Sequence, residues 1–172
     1  VRKHRLSKTY RHPALDTTLT GERTTAEARL TSEARAAGVP TPLVWDVDRE
    51  TATLHLQHVG EADLAERLTT DAVTTVGNHL AAMHNAGLVH GDPTTRNARV
   101  GDRVWLIDFG LGFHSGHIED YAMDLHVLRQ SLGATADHVE PLQAAVLAGY
   151  RATGDPDVLD RLATVEARGR SQ

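Results

Sequence analysis

The stretch from His84 to Gly112 decides the fold of this chain, and it reads HNAGLVHGDPTTRNARVGDRVWLIDFGLG. It contains two polar motifs: His90-Gly91-Asp92, followed by Asn97 at the spacing Asp-x-x-x-x-Asn, and Asp108-Phe109-Gly110. Between the motifs, two apolar runs flank a Gly-Asp pair, which is typical of a β-hairpin. A hairpin brings its two ends together, so the sequence predicts that Asn97 and Asp108 lie beside each other.

The side chains of these motifs suit the transfer of a phosphoryl group. This reaction requires a carboxylate that orients or deprotonates the attacking hydroxyl or water, and oxygen ligands that hold Mg²⁺ against the phosphates. Asp92 would be that carboxylate, and Asn97 and Asp108 would be the magnesium ligands. Each motif alone is common by chance, but their order, the hairpin between them and the amphipathic helix before them form a specific combination. The sequence therefore predicts a kinase-like phosphate site.

The composition is that of a globular chain with room for one domain or two small lobes. The 172 residues are 40% hydrophobic and carry a net charge of −5, which argues against general coating of nucleic acids. No apolar run is long enough to cross a bilayer. The lack of cysteine in the sequence excludes disulfides and thiolate metal sites. These features favour a cytoplasmic protein.

Lysine is rare in this chain, and one lysine lies where a phosphate ligand is expected. Of 18 basic residues only Lys3 and Lys8 are lysines, and a compact ammonium binds phosphate differently from a guanidinium. Lys3 falls in a predicted strand, Val1–Leu6, and Glu27 in a predicted helix, Glu22–Ala37. In kinases a strand lysine paired with a helix glutamate positions the ATP phosphates, so Lys3 and Glu27 are the candidate pair. The alternative is that Glu27 is a solvated helix charge.

The other segments predict an α+β fold with two lobes. Residues 1–59 would form a partial N-lobe, and residues 60–172 a mostly helical C-lobe. A hinge at Gln57–Gly60 would join them, and Arg11–Asp16 is expected to be a loop because Pro13 cannot continue a strand. The remaining predicted elements are two strands, Leu43–Val47 and Thr51–Leu56, and five helices, Asp63–Leu68, Asp71–His84 with Asp71 as its N-cap, Glu119–Leu132, Val139–Tyr150 and Val158–Ala167.

Only a short segment follows the second motif. Leu111–Ile118 separates it from the helix that begins at Glu119, and the sequence contains no Ala-Pro-Glu motif. The C-lobe therefore has no room for the long activation segment of ordinary protein kinases. Within that helix, Asp124 stands among apolar residues. An inward carboxylate must be paired, and we expect its partner to be the backbone of the His90–Asp92 loop.

These residues together resemble a known family, the small atypical serine/threonine kinase of the KEOPS complex. That complex acts in making threonylcarbamoyladenosine next to the anticodon of certain tRNAs. The matching pieces run through the whole chain and are Lys3 with Arg5, Lys8–Pro13, Leu15-Asp16, Glu22–Thr24, Glu27–Leu30, Gly38–Pro42, His90–Asp92 with Thr94, Thr95 and Asn97, Asp108–Gly112, Glu119-Asp120, Asp124-Leu125 and Arg168–Arg170.

The resemblance implies a role for each candidate residue. Lys3 would bind the phosphates of ATP and Glu27 would position Lys3. Asp92 would accept the proton, while Asn97 and Asp108 would bind Mg²⁺. The implied cofactors are ATP and Mg²⁺, and the implied activity is transfer or hydrolysis of the γ-phosphate. The implied partners are a tRNA-modifying subunit, other KEOPS-type subunits and, through the complex, tRNA, with no membrane involved.

The resemblance also bears on the two ends of the chain. Arg168 and Arg170, with the basic cluster from Arg2 to Arg11, would contact tRNA or the phosphates of the site; the alternative is that both are solvated surface. In some archaea this kinase is fused behind the tRNA-modifying partner. A chain that begins with Val1 is compatible with a piece of such a fusion.

Some positions depart from the family. No glycine-rich loop precedes Lys3 in the sequence, so the N-lobe is expected to be incomplete. Pro93 and Arg96 stand where the family more often has leucine and a small polar residue. Gln57 replaces an acidic residue that is usual near the hinge.

Two other functions fit parts of the sequence. Small-molecule kinases of the aminoglycoside or choline type also use His-Gly-Asp-x-x-x-x-Asn, but they usually lack an intact Asp-Phe-Gly-Leu-Gly and carry a larger C-terminal substrate lobe. A non-catalytic scaffold subunit is the second alternative. The presence of Asp92, Asn97 and Asp108 argues against it.

Overall fold

The computed structural model describes residues 1–6 and 12–169, and this part of the chain is an α+β protein, as predicted. Its helices are α1 (Pro13–Ala36), α2 (Thr70–Asn85), α3 (Ile118–Thr135), α4 (Glu140–Arg151) and α5 (Pro156–Gly169), with a short 3₁₀ turn at Leu64–Glu66. Its strands are β1 (Arg2–His4), β2 (Val44–Asp48), β3 (Thr53–Leu56), β4 (Ala62–Asp63), β5 (Leu88–Val89), β6 (Ala98–Val100), β7 (Val104–Leu106) and β8 (Phe113–His114).

The first sheet has the strand order β1-β3-β2, and both of its pairs are antiparallel. Its central strand aligns Leu54 with Lys3 on one side and with Val47 on the other. The β2–β3 turn is held by Asp48, whose Oδ1 accepts the backbone N–H groups of Glu50 and Thr51 at 2.9 and 3.0 Å. The two predicted strands are thus confirmed as an antiparallel pair, β2 and β3, and β1 joins them as a third strand.

Helix α1 is longer than predicted. It begins at Pro13, so the expectation of a loop over Arg11–Asp16 is wrong for residues 13–16, while residue 11 lies outside the described residues. Proline suits the first helical position because its missing N–H would have no helical partner there. The threonines that weaken the helix pattern donate their hydroxyls to carbonyls one turn back, Thr17 to Pro13 at 3.0 Å and Thr18 to Ala14 at 3.1 Å.

The core of the helical part lies on one face of α2. Val73, Val76, Leu80 and Met83 are at most 1% exposed, as their helical spacing predicts. The predicted cap is wrong, because Thr69 rather than Asp71 accepts a backbone N–H, that of Ala72, at 3.1 Å. A threonine hydroxyl just before the first turn satisfies that donor directly.

Two glycines let α2 and α4 pack closely. A Cβ atom on Gly77 would lie 2.4 Å from the carbonyl oxygen of Val146, and one on Gly149 would lie 2.0 Å from that of Thr74. Distances this short mean that only hydrogen fits at either position. The crossing of the two helices therefore depends on glycine in both of them.

The short sheets frame the stretch that contains the two motifs. Strands β6 and β7 form the predicted hairpin, and β4 adds to β6. Strand β5 pairs with β8, which aligns Val89 with Phe113. The predicted helix over Asp63–Leu68 is wrong, because this segment is the end of β4 and a 3₁₀ turn. The loop from His90 to Asn97 is therefore flanked on both sides by paired strands.

The last three helices are those predicted, with ends shifted by a few residues. Pro156 takes the first position of α5, as expected for a helix introduced by Asp-Pro. Within the described residues, no helix combines the length and apolar character that crossing a membrane requires.

We predict that replacing Gly149 by alanine destabilises the protein. The added methyl group has to displace the Thr74 carbonyl, which should lower the free energy of unfolding by about 1–3 kcal/mol. The matched control is Gly133→Ala in α3, where a Cβ meets nothing within 4 Å and should add about 0.5–1 kcal/mol instead. Urea unfolding followed by circular dichroism compares the two, and equal stability of both variants would contradict close α2–α4 packing.

Candidate active site

The loop between β5 and β6 presents Asp92 and Asn97 together. The Asn97 side-chain amide donates to the Asp92 backbone oxygen and to its carboxylate Oδ2, both at 2.9 Å. The Ile107 backbone N–H then donates to the Asn97 carbonyl at 2.9 Å, which sets Asp108 beside the loop. The structure thus brings Asp92, Asn97 and Asp108 to one end of the hairpin, as the motif spacing indicates.

Asp124, in α3, holds the loop between β5 and β6 through hydrogen bonds. Its carboxylate is 2% exposed and accepts the backbone N–H groups of His90 at 2.7 Å and Gly91 at 2.9 Å. The predicted partner of Asp124 is therefore confirmed. Two backbone donors on one buried carboxylate fix the path of the loop just before Asp92.

His84 completes the surroundings of Asp124. Its Nε2 lies 3.1 Å from Asp124 Oδ2 and its Nδ1 lies 2.9 Å from the hydroxyl of Tyr150. Burial raises the pKa of Tyr150 far above its ordinary value, so its hydroxyl keeps its proton and can donate to Nδ1. Nε2 is then the protonated nitrogen that donates to Asp124. This arrangement makes His84 a buried structural residue.

His90 connects the two motifs. The imidazole is fully buried, and burial lowers its pKa, so it is neutral at pH 7. Its Nδ1 accepts the Asp92 backbone N–H at 3.3 Å, its Nε2 lies 3.1 Å from the Ile107 carbonyl, and its ring packs on Phe109 at 4.8 Å between centroids. A neutral imidazole that accepts at Nδ1 and donates at Nε2 satisfies both bonds.

The next residue, Gly91, allows the loop to lie close to the backbone of Leu111. Its φ is +84°, and a Cβ there would lie 2.2 Å from the Leu111 carbonyl oxygen. The short distance excludes a side chain, and the left-handed conformation further favours glycine. The loop and the segment after the second motif therefore touch through backbone atoms.

Lys3 lies between the two acidic residues of the site. Its ammonium donates to Glu27 Oε1 at 2.7 Å and to Asp108 Oδ1 at 2.6 Å. Glu27 is 2% exposed, so the alternative of a solvated helix charge does not hold. The structure brings the residues of the predicted Lys3–Glu27 pair together and adds Asp108 to them.

Asp108 is held in an uncommon backbone conformation. Its φ is +62°, a left-handed value that aspartate and asparagine tolerate better than most residues. Burial raises the pKa of its carboxyl, but the hydrogen bond and the charge of Lys3 outweigh burial, so the pKa lies below its ordinary value. Asp108 is therefore ionised at neutral pH, as a magnesium ligand must be.

Arg5 is a site residue that the sequence places only in the basic cluster from Arg2 to Arg11, whose predicted contacts are tRNA or the phosphates of the site. Its guanidinium Nη2 donates to Glu27 Oε2 at 2.5 Å, so the buried carboxylate of Glu27 contacts two cations. The available signal was the spacing, because residues two apart on an extended strand point to the same side. The chain stays extended after β1, since the Arg5 backbone N–H donates to the backbone carbonyl of Ala52 at 3.1 Å.

Two cavities meet at Lys3 and Asp108. The larger, of about 420 Å³, is bounded by the first sheet and by the predicted hinge, with Leu56, Gln57, His58 and Val59 in its wall. The smaller, of about 300 Å³, is lined by Lys3, Arg5, Asp92, Asp108, Gly110 and Leu111. The first is lined mainly by apolar surface, which is typical of small-molecule sites, and the second contains Asp92.

The donor set suits Mg²⁺ only in combination with a substrate. In the described part of the chain, no group of three or more His, Asp or Glu side chains is arranged to hold a metal by itself. Mg²⁺ is usually held by one or two protein oxygens together with phosphates and water. Asn97 and Asp108 provide such a partial set.

The basic C-terminal end lies at the last turn of α5. Arg168 is exposed there, while Arg170 lies outside the described residues. Arg168 does not line either of the two cavities. The structure therefore leaves its predicted contact with tRNA or phosphates as an expectation.

Comparisons with known proteins agree with the fold and with the sequence motifs. No family model matches the chain. A probable bifunctional tRNA threonylcarbamoyladenosine biosynthesis protein of Natronomonas pharaonis is 57% identical over 173 residues, covering all of this chain and 32% of that protein. A protein of the same name from Haloquadratum walsbyi is 57% identical over 171 residues and is also covered to 32%. The chain thus spans about a third of the length of these relatives.

A shorter relative is matched over most of its length. The probable serine/threonine-protein kinase BUD32 homolog of Archaeoglobus fulgidus is 39% identical over 172 residues, covering 99% of this chain and 87% of that protein. Among solved structures, the Rio2 kinase of Chaetomium thermophilum matches with a TM-score of 0.62 at 14% identity, covering 98% of this chain and 64% of that one. This likeness confirms the predicted protein-kinase-like fold.

We predict that Lys3→Met raises the pKa of Asp108. Removal of the ammonium leaves the effect of burial on the carboxyl without its main opposing contact. A ¹³C NMR titration of the aspartate carboxyl signals should therefore move the Asp108 midpoint upward. Asp48 is the internal control, because its lowered pKa depends first on its hydrogen bonds to Thr51. An unmoved Asp108 midpoint would show that Lys3 does not hold this carboxylate in solution.

Proposed function

Since the chain belongs to the family of BUD32-type serine/threonine-protein kinases, we propose that it transfers or hydrolyses the γ-phosphate of Mg-ATP. The proposed biological role is support of threonylcarbamoyladenosine formation on tRNA within a KEOPS-type complex. The observation that carries the proposal is the contact of Lys3 with both Glu27 and Asp108, beside the hydrogen-bonded pair Asp92 and Asn97.

Each residue has a proposed task in the reaction. Lys3 binds the ATP phosphates and Glu27 fixes the position of Lys3. Asp92 orients the attacking water or hydroxyl and accepts its proton, while Asn97 and Asp108 hold Mg²⁺. The metal offsets the negative charge of the phosphates, which is its general contribution in kinases. The larger cavity would take the adenine, with the backbone of Gln57–Val59 available for hydrogen bonds.

Water is the proposed acceptor in preference to a broad set of peptides. A protein kinase needs an extended platform that places a peptide hydroxyl in line with the γ-phosphate. Here the segment after the second motif pairs with β5 at Phe113 and His114 and enters α3 at Ile118. Between that strand pair and α3, Ser115 donates its hydroxyl to the carboxylate of Asp120 at 2.5 Å. This short, fastened segment supports an ATPase that depends on its partners.

The names of the relatives support the tRNA pathway. Two long relatives are named as tRNA threonylcarbamoyladenosine biosynthesis proteins, and this chain matches about a third of each. We therefore propose a tRNA-modifying subunit as the direct partner, other KEOPS-type subunits as further partners, and tRNA as a ligand of the assembly. A cytoplasmic location and the division into lobes at residues 1–59 and 60–172 belong to the same proposal.

We predict that phosphate release from ATP requires Asp92 and Asp108. With KEOPS-type partners and tRNA present, Asp92→Asn and Asp108→Ala should each lower the release rate by at least about a hundredfold, because proton acceptance and charge neutralisation each contribute on that scale. Asp137→Ala is the matched control, since Asp137 is exposed in the loop before α4. A colorimetric phosphate assay measures all of them.

Other outcomes of the same assay would replace this proposal. Full activity of Asp92→Asn and Asp108→Ala would remove these residues from the site and favour a scaffold role. Asp92-dependent transfer to assorted peptides, without stimulated phosphate release, would favour an ordinary protein kinase. Efficient phosphorylation of aminoglycosides or choline would favour the small-molecule class.

The basic C-terminal end has a proposed role in binding tRNA. Arg168 is exposed at the end of α5, and Arg170 follows it in the sequence. Contacts between cations and tRNA phosphates release counterions, so affinity falls as salt rises. Truncation before Arg168 should therefore flatten the dependence of tRNA affinity on salt in the assembled complex. Identical salt slopes with and without the tail would leave Arg168 and Arg170 as solvated surface.

A further inference from the structure

Arg5 is a second cation beside Lys3, on the same buried acid. Arg5 Nη2 contacts Glu27 Oε2 at 2.5 Å, while Lys3 contacts Oε1 at 2.7 Å. Lys3 also contacts Asp108 at 2.6 Å. The two positive charges balance the two carboxylates. Glu27 would therefore keep one cationic partner in Arg5 when Lys3 turns toward a phosphate.

The position of Arg5 differs from that of Lys3 in one respect. Lys3 and Asp108 line both cavities, whereas Arg5 lines the smaller one, together with Asp92. The phosphoryl group passes from a nucleotide in the larger cavity to an acceptor activated by Asp92. Its path therefore runs from the Lys3–Asp108 boundary into the space that Arg5 and Asp92 share.

The guanidinium is held firmly at this place. A Cβ on Gly110 would lie 2.9 Å from Arg5 Nη2 and 3.1 Å from Asp108 Oδ1, so the backbone of the second motif packs directly against the guanidinium. The Nε of Arg5 is buried and has no hydrogen-bond partner within residues 1–6 and 12–169. A buried donor without a hydrogen-bond partner is costly, so Glu27 alone does not satisfy all the donors of this guanidinium.

We propose that Arg5 is a further catalytic residue, whose guanidinium contacts the γ-phosphoryl group during its transfer. This inference rests on the proposed function. In the hydrolytic step the water oxygen forms a bond to the γ-phosphorus, while the bond from that phosphorus to the β–γ bridging oxygen breaks. The electron pair of that bond leaves with ADP, and the proton of the water passes to Asp92.

Charge on the transferred oxygens explains what Arg5 adds. The transition state carries negative charge on three oxygens, and a guanidinium offers several donors in a fixed planar arrangement. Lys3, as a point charge, neutralises the phosphates on the nucleotide side. Arg5 neutralises the same group on the side of Asp92, where the new bond forms. Glu27 fixes Arg5 for this task because it holds one of the two Nη atoms.

The test compares ligands with and without the γ-phosphate, using the chain together with its KEOPS-type partners. Arg5→Gln should lower ATP turnover by about 10²–10³-fold, as loss of one transition-state donor does. Its affinity for Mg-ADP should stay within about twofold of wild type, because ADP lacks the group that Arg5 contacts, while binding of Mg-ADP with aluminium fluoride should weaken. Arg5→Lys, which keeps the charge, should recover part of the turnover. Arg29→Gln, an exposed arginine of α1, is the matched control.

Three results would overturn the inference, and they are distinguishable. Unchanged turnover of Arg5→Gln shows that Arg5 is not needed. An equal loss of affinity for Mg-ADP and for its aluminium fluoride complex shows that Arg5 acts only through Glu27 and Lys3. Wild-type protein that neither binds Mg-ADP nor releases phosphate overturns the proposed function and this inference together. Urea midpoints verify folding, and if Arg5→Gln is unfolded, Arg5→Lys carries the same comparison.

Discussion

The buried carboxylate of Glu27 is the constraint on which the rest of the site depends. A charge at 2% exposure in α1 is destabilising unless cations reach it. Both of its cations, Lys3 and Arg5, come from the first few residues of the chain. The ion pairs of Glu27 with these two cations therefore hold the first sheet against α1. Lys3 extends the same contact to Asp108, so the first sheet, α1 and the Asp108-Phe109-Gly110 motif meet at one ammonium group.

A second buried acid, Asp124, orders the opposite side of the site by different means. Its partners within residues 1–6 and 12–169 are backbone N–H groups of the His90–Asp92 loop and the imidazole of His84, and none of them is a lysine or an arginine. Hydrogen bonds to an ionised oxygen are directional, so Asp124 fixes the course of the loop. Glu27 thus binds cationic side chains, whereas Asp124 fixes the loop backbone. Asp92 and Asp108 lie between these two buried acids.

The sequence predicts best where the signal is local. The spacing of Asp92, Asn97 and Asp108 and the turn between the apolar runs suffice to predict that these side chains meet. Helical spacing likewise predicts the buried face of α2. The start of α1 at Pro13 is hard to predict because the threonines in its first turns have weak helix propensity. In the structure the hydroxyl of Thr17 donates to a carbonyl of the same helix.

The missed features depend on packing between distant segments. The spacing from Lys3 indicates on which side of the chain Arg5 lies, but its contact with Glu27 depends on how β1 pairs with β3, which local sequence does not encode. The Thr69 cap competes with Asp71, and aspartate has the higher capping preference, so residue type alone favours the wrong position. The segment Asp63–Leu68 has helical composition, but Ala62 and Asp63 pair with β6, and this strand pairing overrides it.

The segment after the second motif is fixed by contacts along its length. Its backbone contacts Gly91 through Leu111, its strand pairs with β5, and Ser115 donates its N–H to Gly87 at 3.0 Å. The carbonyl of the same serine accepts the hydroxyl of Tyr121. A switch requires an element with two arrangements of similar free energy, and a segment bonded at both ends and in its middle does not provide one. Asp92 and Asp108 therefore lie beside a segment that keeps one arrangement.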